Sequence, residues 1–508
     1  VTQNIRFLFA FSFLGLFGST ESIQNKELHV FLQEMDQAPY DYDSPAAIQA
    51  AVDPAIFGYL LKIDRFGDLA PSLIKSWNYD FKTKSYTLVL ADAKFHNGRE
   101  ITAKDLEFSI VVNYLEKTES YSHFFYDEIE GLSAAKSGMK FKSGMVSGIQ
   151  VVNSKTIRIK LAKTNSRFLY KLTSPFAALI PQEEMNSDYS AWKRFPIGAG
   201  PYRIEKPYAN HEVILQKVSS DLKIPDRIFL HTKRMLDRYD LLLQNAVPSS
   251  AENDFKVSIA DRPSSVTSFV FINRSALSNQ IDFRKALHLG FNREAAVLDS
   301  VQMKPTTSLF LQAQSGMMIS GGFQNPFQLA EAKRLFSRLP SHLTRKPVQV
   351  VVYSPNERSF PPVIEKQIGE LKKQFEEIGF QVQFTPNTEN PLSEKSLNRF
   401  DLSLTTLILD WSDPLLIFNS LVSTSPYRNE VPKNDGKVDR LFQQAEAAAT
   451  NDDRFLKIRK LSDYVDQNLL ILPVFKRYTL YRINPKTVVS LGDQLMPQYL
   501  DFTLVQMR

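Results

Sequence analysis

The chain contains no cysteine. That removes disulfides, zinc–thiolate and iron–sulfur ligation, a cysteine nucleophile, and a lipid-modified cysteine behind an export signal. Glycine is scarce, at 19 of 508 residues, which argues against collagen-like repeats, flexible glycine linkers and glycine-dense phosphate loops. Neither sign of charge is in real surplus. The 61 Lys and Arg against 55 Asp and Glu leave +6, too weak a bias over this length for a dedicated nucleic-acid protein. Long hydrophobic runs are missing too: beyond the first twenty residues nothing approaches the ~20 apolar residues that span a bilayer. Aromatics, in contrast, are plentiful. The 37 Phe and 19 Tyr supply cores and the walls of an apolar pocket. At roughly 150 residues per domain, the length suits about three domains or several lobes.

The first segment reads as an address. Arg6 precedes an apolar run ending at Phe17, and the small residues Gly18, Ser19 and Thr20 follow. This charged–apolar–small order is that of a secretory signal peptide, and places the mature start between Ser19 and Ile23.

The remainder mixes strands and helices. Leu28–Leu32 and Tyr86–Leu90 read as strands. Phe95-His96-Asn97-Gly98 contains the Asn-Gly turn signal, and Thr102-Ala103-Lys104-Asp105 matches a helix capping box. Residues 149–161 alternate as strands with a solvated lysine face. The clearest unit is Val348–Phe384. A strand at 348–353 leads to a helix opened by Pro361 and Pro362, with Ile364, Ile368, Leu371, Phe375 and Ile378 on one face. Gly379 stands at its C-cap, and Phe380, Val382 and Phe384 alternate after it. Such a strand–helix–strand order predicts a parallel pair with a right-handed crossover. Further helices are expected at 282–289, after an Asn292 cap, and at 454–468, with a strand at 470–475. No low-complexity linker separates these elements, which favours lobes assembled from discontinuous segments.

Reactive motifs are absent. There is no G-x-S-x-G, Walker loop or H-E-x-x-H, and no two of the seven histidines lie three or four apart. Gly198-Ala199-Gly200-Pro201 lacks the third glycine of a dinucleotide fingerprint and reads as a turn. Neither a metal nor a cofactor is expected, and binding is favoured over catalysis. One polar position stands out. The apolar strand at 400–409 runs into Asp410 beside Trp411. A carboxylate at the end of a dry strand needs a partner. It caps the strand end, pairs with a resident Arg or Lys, or holds a ligand ammonium.

Several segments together resemble the family-5 extracytoplasmic solute-binding proteins, the dipeptide- and oligopeptide-binding components of ABC importers. They are Leu69–Trp77, Tyr86–Asp105, Pro196–Tyr202, Phe271-Ile272-Asn273 with Phe283–Glu294, residues 400–414, and Ile471–Val474, in the family's order. The chain departs from the pattern at Thr406-Leu407, where the family has Gly-Trp, and at Asn292, where it has Asp. The resemblance implies an α/β fold, a two-lobed periplasmic-binding-protein-like clamp of the class II type with an extra third region and mixed sheets flanked by helices. Its segments would be a signal peptide at 1–22, lobe 1 at 23–57, 180–268 and 476–508, a second region at 58–179 packed on lobe 1, and lobe 2 at 269–475. It implies a monomeric, periplasmic, non-enzymatic receptor. That receptor would pass peptides to an inner-membrane ABC permease and its ATPase subunits, without nucleic-acid partners. In its site Asp410 would hold the peptide ammonium beside Trp411. Thr406, Leu407 and Ile408 would pair with the peptide main chain from one lobe, and Ala46, Ala47 and Ile48 from the other, as in strand addition. The alternatives are the same clamp around a metal chelate, oligosaccharide or opine, and a secreted hydrolase.

Overall fold

The computed structural model describes residues 26–40, 46–64, 68–115, 126, 128–136, 138–165, 167–175, 177–220, 224–243, 248–272, 275–298, 300–310, 327–353, 359–360, 362–387, 399–408, 413–421, 436–448, 450–494 and 500–508. The chain opens with β1 (Glu27–Phe31), whose alternation buries Leu28 and Val30 on one face, and with α1 (Ala46–Phe57). An antiparallel four-stranded sheet follows, built from β2 (Ile74–Asp80), β3 (Ser85–Leu90), β4 (Ile149–Val151) and β5 (Thr156–Lys160) in the order β2-β3-β5-β4. Its helix α2 (Ala103–Leu115) begins where the capping box predicts. The Asp105 carboxylate accepts from the backbone N–H of Thr102 at 2.7 Å and from its hydroxyl at 2.9 Å.

Next come β6 (Tyr202–Ala209), β7 (Glu212–Lys217), β8 (Arg227–His231), β9 (Leu241–Leu242) and the long β10 (Lys256–Phe271). They are followed by α3 (Ile281–Gly290), β11 (Met303–Pro305), β12 (Val348–Tyr353), α4 (Pro362–Ile378), β13 (Val382–Asn387) and β14 (Leu402–Ile408). Helices α5 (Lys437–Glu446) and α6 (Asn451–Gln467) and strand β15 (Ile471–Ile483) complete the set needed here. Among the described residues these strands form one eleven-stranded sheet, ordered β13-β12-β14-β10-β15-β9-β1-β8-β7-β6, with β11 added on β15.

The crossover unit forms as the sequence predicts: β12 and β13 pair in parallel, Val348 against Val382. Ile368, Leu371, Phe375 and Ile378 of α4 are buried against Phe269, Phe283 and Phe291. Gly379 ends the helix at φ +123°, a conformation that L side chains rarely adopt. Asn292 caps the turn at Arg293–Ala296 through its side chain, as expected.

Distinct cores lie along this frame. One joins β1, α1, the β6–β9 strands, the end of β15 and Val488 to Val505. A second is drawn from Leu60 to Leu179. Two more flank β10, β14 and the start of β15, on opposite faces of the sheet. Strands β10 and β15 run between the first core and the last two. Lys256–Ile259 pair with Leu480–Ile483, and Ser265–Val270 pair with Ile471–Arg477. The expected strand at 470–475 is therefore only the first part of a longer one. The ladder breaks register between Ile259 and Pro263, again before Ser265, and between Thr267 and Ser268.

Candidate functional site

Strand β14 carries the predicted site. Its rungs with β10 run from Phe271–Leu402 to Ser265–Ile408, so Thr406, Leu407 and Ile408 lie opposite Thr267, Val266 and Ser265. The Thr267 and Thr406 hydroxyls are 3.2 Å apart and share a hydrogen bond. On the other edge, β12 pairs only as far as Leu404. Among the described residues, the backbone from Thr405 to Ile408 therefore has a ladder on one side and none on the other. Such a half-paired edge is what an extended main chain can join. Asp410 and Trp411 lie outside the described residues.

The expectation for the opposing strand is corrected. Ala46, Ala47 and Ile48 begin helix α1 and form no strand, and the Ile48 side chain is buried in the core beneath β1. The run Ala46 to Ala51 carries five apolar residues and one Gln, and no β-branched cluster or alternation. Helix propensity and burial prevail there over the pairing that the resemblance implied.

Just beyond Trp411, Asp413 is buried and its carboxylate is fully engaged. Arg454 on α6 donates to it at 2.6 Å, Arg167 lies 3.8 Å away, and the backbone N–H of Leu415 donates at 3.2 Å. Both arginines are about 1% exposed. The Arg167 guanidinium lies 3.4 Å from the Tyr170 ring centroid and 5.5 Å from that of Phe455. Burial alone would raise the Asp413 pKa. The charges of Arg454 and Arg167 more than offset it and hold the carboxyl below its ordinary value. This triad ties the 60–179 unit to α6. Nearby, Asn165 and Lys171 both donate to Glu128. Burial, and then the charge of Glu128, push the Glu446 carboxyl up to about 7.

Sequence reading passed over these arginines, although one carried a sign. Arg454 stands in the first turn of α6, where the helix dipole favours acids, and its neighbours Asp452 and Asp453 obey that rule. A cation placed against the dipole is held by something outside the helix. Among the described residues no group of three His, Cys, Asp or Glu could hold a metal ion, and no helix is long and apolar enough to cross a membrane.

Known proteins resemble this chain in sequence and in fold. Residues 68–220 match the family described as bacterial extracellular solute-binding proteins, family 5 Middle. Heme-binding protein A of Haemophilus influenzae is 25% identical over 264 residues, 47% of this chain and 48% of that protein, so the match spans about half of its length. The oligopeptide-binding protein AliA of Streptococcus pneumoniae is 27% identical over 176 residues, 34% of this chain and 26% of that one. The murein tripeptide binding protein MppA of Escherichia coli superposes with a TM-score of 0.70 at 16% identity, covering 95% of this chain and 99% of its own. The fold is that of the periplasmic solute-binding proteins, a mixed α/β clamp of two lobes with an additional region.

Proposed function

We propose that this chain is a substrate-binding component of the ABC-importer type, like the family-5 bacterial extracellular solute-binding proteins whose family description matches residues 68–220, and that its solute is a peptide. The half-paired edge at Thr405–Ile408 carries this reading. A peptide added there satisfies backbone donors and acceptors that every residue type shares, so side-chain sequence matters little. Asp410, two residues past the edge, would hold the α-ammonium, with Trp411 beside it. The relative that binds oligopeptides by name favours the same class of cargo.

On this reading the lobes are 23–57, 180–268 and 476–508 on one side and 269–475 on the other, with 58–179 as the added region. The protein acts as a monomer outside the inner membrane after export. It delivers cargo to a permease with its ATPase subunits and catalyses nothing. A relative that binds heme by name favours a second reading, in which the same clamp holds a metal chelate.

Native mass spectrometry of protein purified without refolding separates the two, since retained peptides and retained porphyrin differ in mass. The anchoring role is read by calorimetry with trialanine. Wild type should bind the free amine at least ~10-fold more tightly than the N-acetylated peptide, as loss of a charge-assisted contact costs about 1.5–3 kcal/mol. Asp410→Ala should erase that difference. Equal affinity of wild type for both peptides would reject the ammonium anchor.

A further inference from the structure

From Gly131 to Gln182 the chain carries nine lysines and arginines and not one aspartate or glutamate. That local excess is larger than the +6 of the whole chain. Acids from outside the run meet four of these cations. Asp92 lies 3.7 Å from Lys155, Glu130 lies 2.8 Å from Lys160, Asp413 lies 3.8 Å from Arg167, and Glu128 accepts from Lys171. Lys136, Lys140 and Lys142 are met by none. All three are exposed, and among the described residues they form no ion pair.

The loop that carries them has a defined shape. The Lys136 carbonyl accepts from the Met139 N–H at 3.1 Å, and the Lys142 carbonyl accepts from the Met145 N–H at 3.1 Å. Gly138 and Gly144 turn the chain at φ +84° and +78°. Glu107 of α2, 1% exposed, accepts from the Ser143 hydroxyl at 2.6 Å and from the Gly144 N–H at 2.7 Å. Its carboxylate is thus taken up by the loop's own hydroxyl and amide. The Phe141 ring meets the Phe108 ring edge-on at 5.1 Å. These contacts pin residues 141–144 to α2. Outside the pinned part stands Met139, 46% exposed, between Lys136 and Lys140.

Three unmatched cations around one exposed thioether suit an extended anionic surface. A protein interface takes its affinity from anchors seated in desolvated pockets, whereas this loop presents a single flexible apolar tip. At a lipid surface that tip enters the headgroup region while the lysines beside it meet phosphates.

We propose that the Lys136–Lys142 loop docks the protein reversibly on an anionic bilayer surface. This goes beyond the solute reading and does not depend on what the clamp encloses. A lysine beside such a surface strengthens binding roughly fivefold, so three together give on the order of 100-fold. The attraction fades as salt shortens its range.

The test is sedimentation of the full chain with vesicles, in which neither peptide nor permease takes part. At low ionic strength wild type should bind phosphatidylcholine vesicles containing about one-third phosphatidylglycerol, and should not bind phosphatidylcholine alone. About 0.5 M NaCl should release it. The triple variant Lys136→Gln, Lys140→Gln, Lys142→Gln should bind on the order of 100-fold more weakly. Its melting temperature should match that of wild type, since these side chains have no ionic partner among the described residues. Met139→Ser should weaken binding severalfold and leave its salt dependence in place. Lys366→Gln, Lys372→Gln, Lys373→Gln removes the same charge from exposed positions of α4 and should leave binding close to wild type. Failure of wild type to bind the anionic vesicles would overturn the proposal and leave the loop to an acidic protein surface. Full binding by the loop variant or by Met139→Ser would overturn it as well. So would an equal loss in the α4 variant, which would reduce the attraction to net charge alone.

Discussion

Replacing Asp413 with Asn tests the electrostatics of the clamp most directly. Two guanidiniums that are almost wholly buried share this one carboxylate, at 2.6 Å from Arg454 and 3.8 Å from Arg167. The amide keeps the shape and removes the carboxylate charge that Arg454 and Arg167 face at this position. Breaking a buried pair from one side costs about 3–5 kcal/mol, so Asp413→Asn should lose that much in urea unfolding at pH 7. The direction with pH follows from the lowered pKa of Asp413. Its stabilisation is complete above the ordinary carboxylate value near ~3.9 and disappears as pH falls through the lower folded value. The gap between wild type and Asp413→Asn should therefore narrow below about pH 4. The double variant Asp413→Leu with Arg454→Met should recover a large part of the loss at pH 7, because an apolar replacement removes charge and desolvation together. A change within about 0.5 kcal/mol for Asp413→Asn, the range of an ordinary surface substitution, would refute the argument.

Other consequences can be measured on the same protein. With its pKa raised to about 7, Glu446 binds more protons folded than unfolded between about pH 4.5 and 7, so its charging costs stability as pH rises through that window. Glu446→Gln should gain on the order of 1–2 kcal/mol at pH 8 and almost nothing at pH 4.5, and an equal effect at both would contradict the assignment. A Cβ at Gly198 would lie 2.1 Å from the carbonyl oxygen of Ile56. Gly198→Ala should therefore lower stability by about 1–3 kcal/mol, whereas Gly369→Ala, which meets nothing within 4 Å inside helix α4, should be neutral or slightly stabilising.

Elements governed by local pattern were legible in the sequence. The α4 stripe, the Gly379 stop and the flanking strands all follow from spacing, because one amphipathic helix over a parallel pair has a single way to bury that face. Of the site, the strand at Leu402–Ile408 was legible because its residues are apolar and β-branched and end at polar Asp410. Two things escaped. Strand β10 holds Asp261, Arg262 and Pro263 in its middle, two charges and a proline that carry no strand pattern, and β15 pairs with it on both sides of that stretch. The Arg167–Asp413–Arg454 triad joins residues more than 240 positions apart at its ends, and no periodicity reports such a meeting. Ala46–Ile48 failed in the opposite way: a correspondence with relatives outweighed a composition that already spoke for helix.

The interrupted ladder between β10 and β15 has a physical consequence for the long strands that carry it. Bulges remove rungs and increase local twist, so β10 and β15 bend at least cost where they lose register, from Ile259 to Ser265. Asp413 and Arg454 instead tie α6 to Arg167 of the 60–179 unit, at a contact whose charges are paired. A ligand shifts a two-state equilibrium only through a difference in its free energy of interaction with the two states. On the proposed reading, a solute on the Thr405–Ile408 edge would therefore shift the clamp only through contacts that it gains from the opposite lobe, and the bulged stretch is where such a shift would meet least resistance.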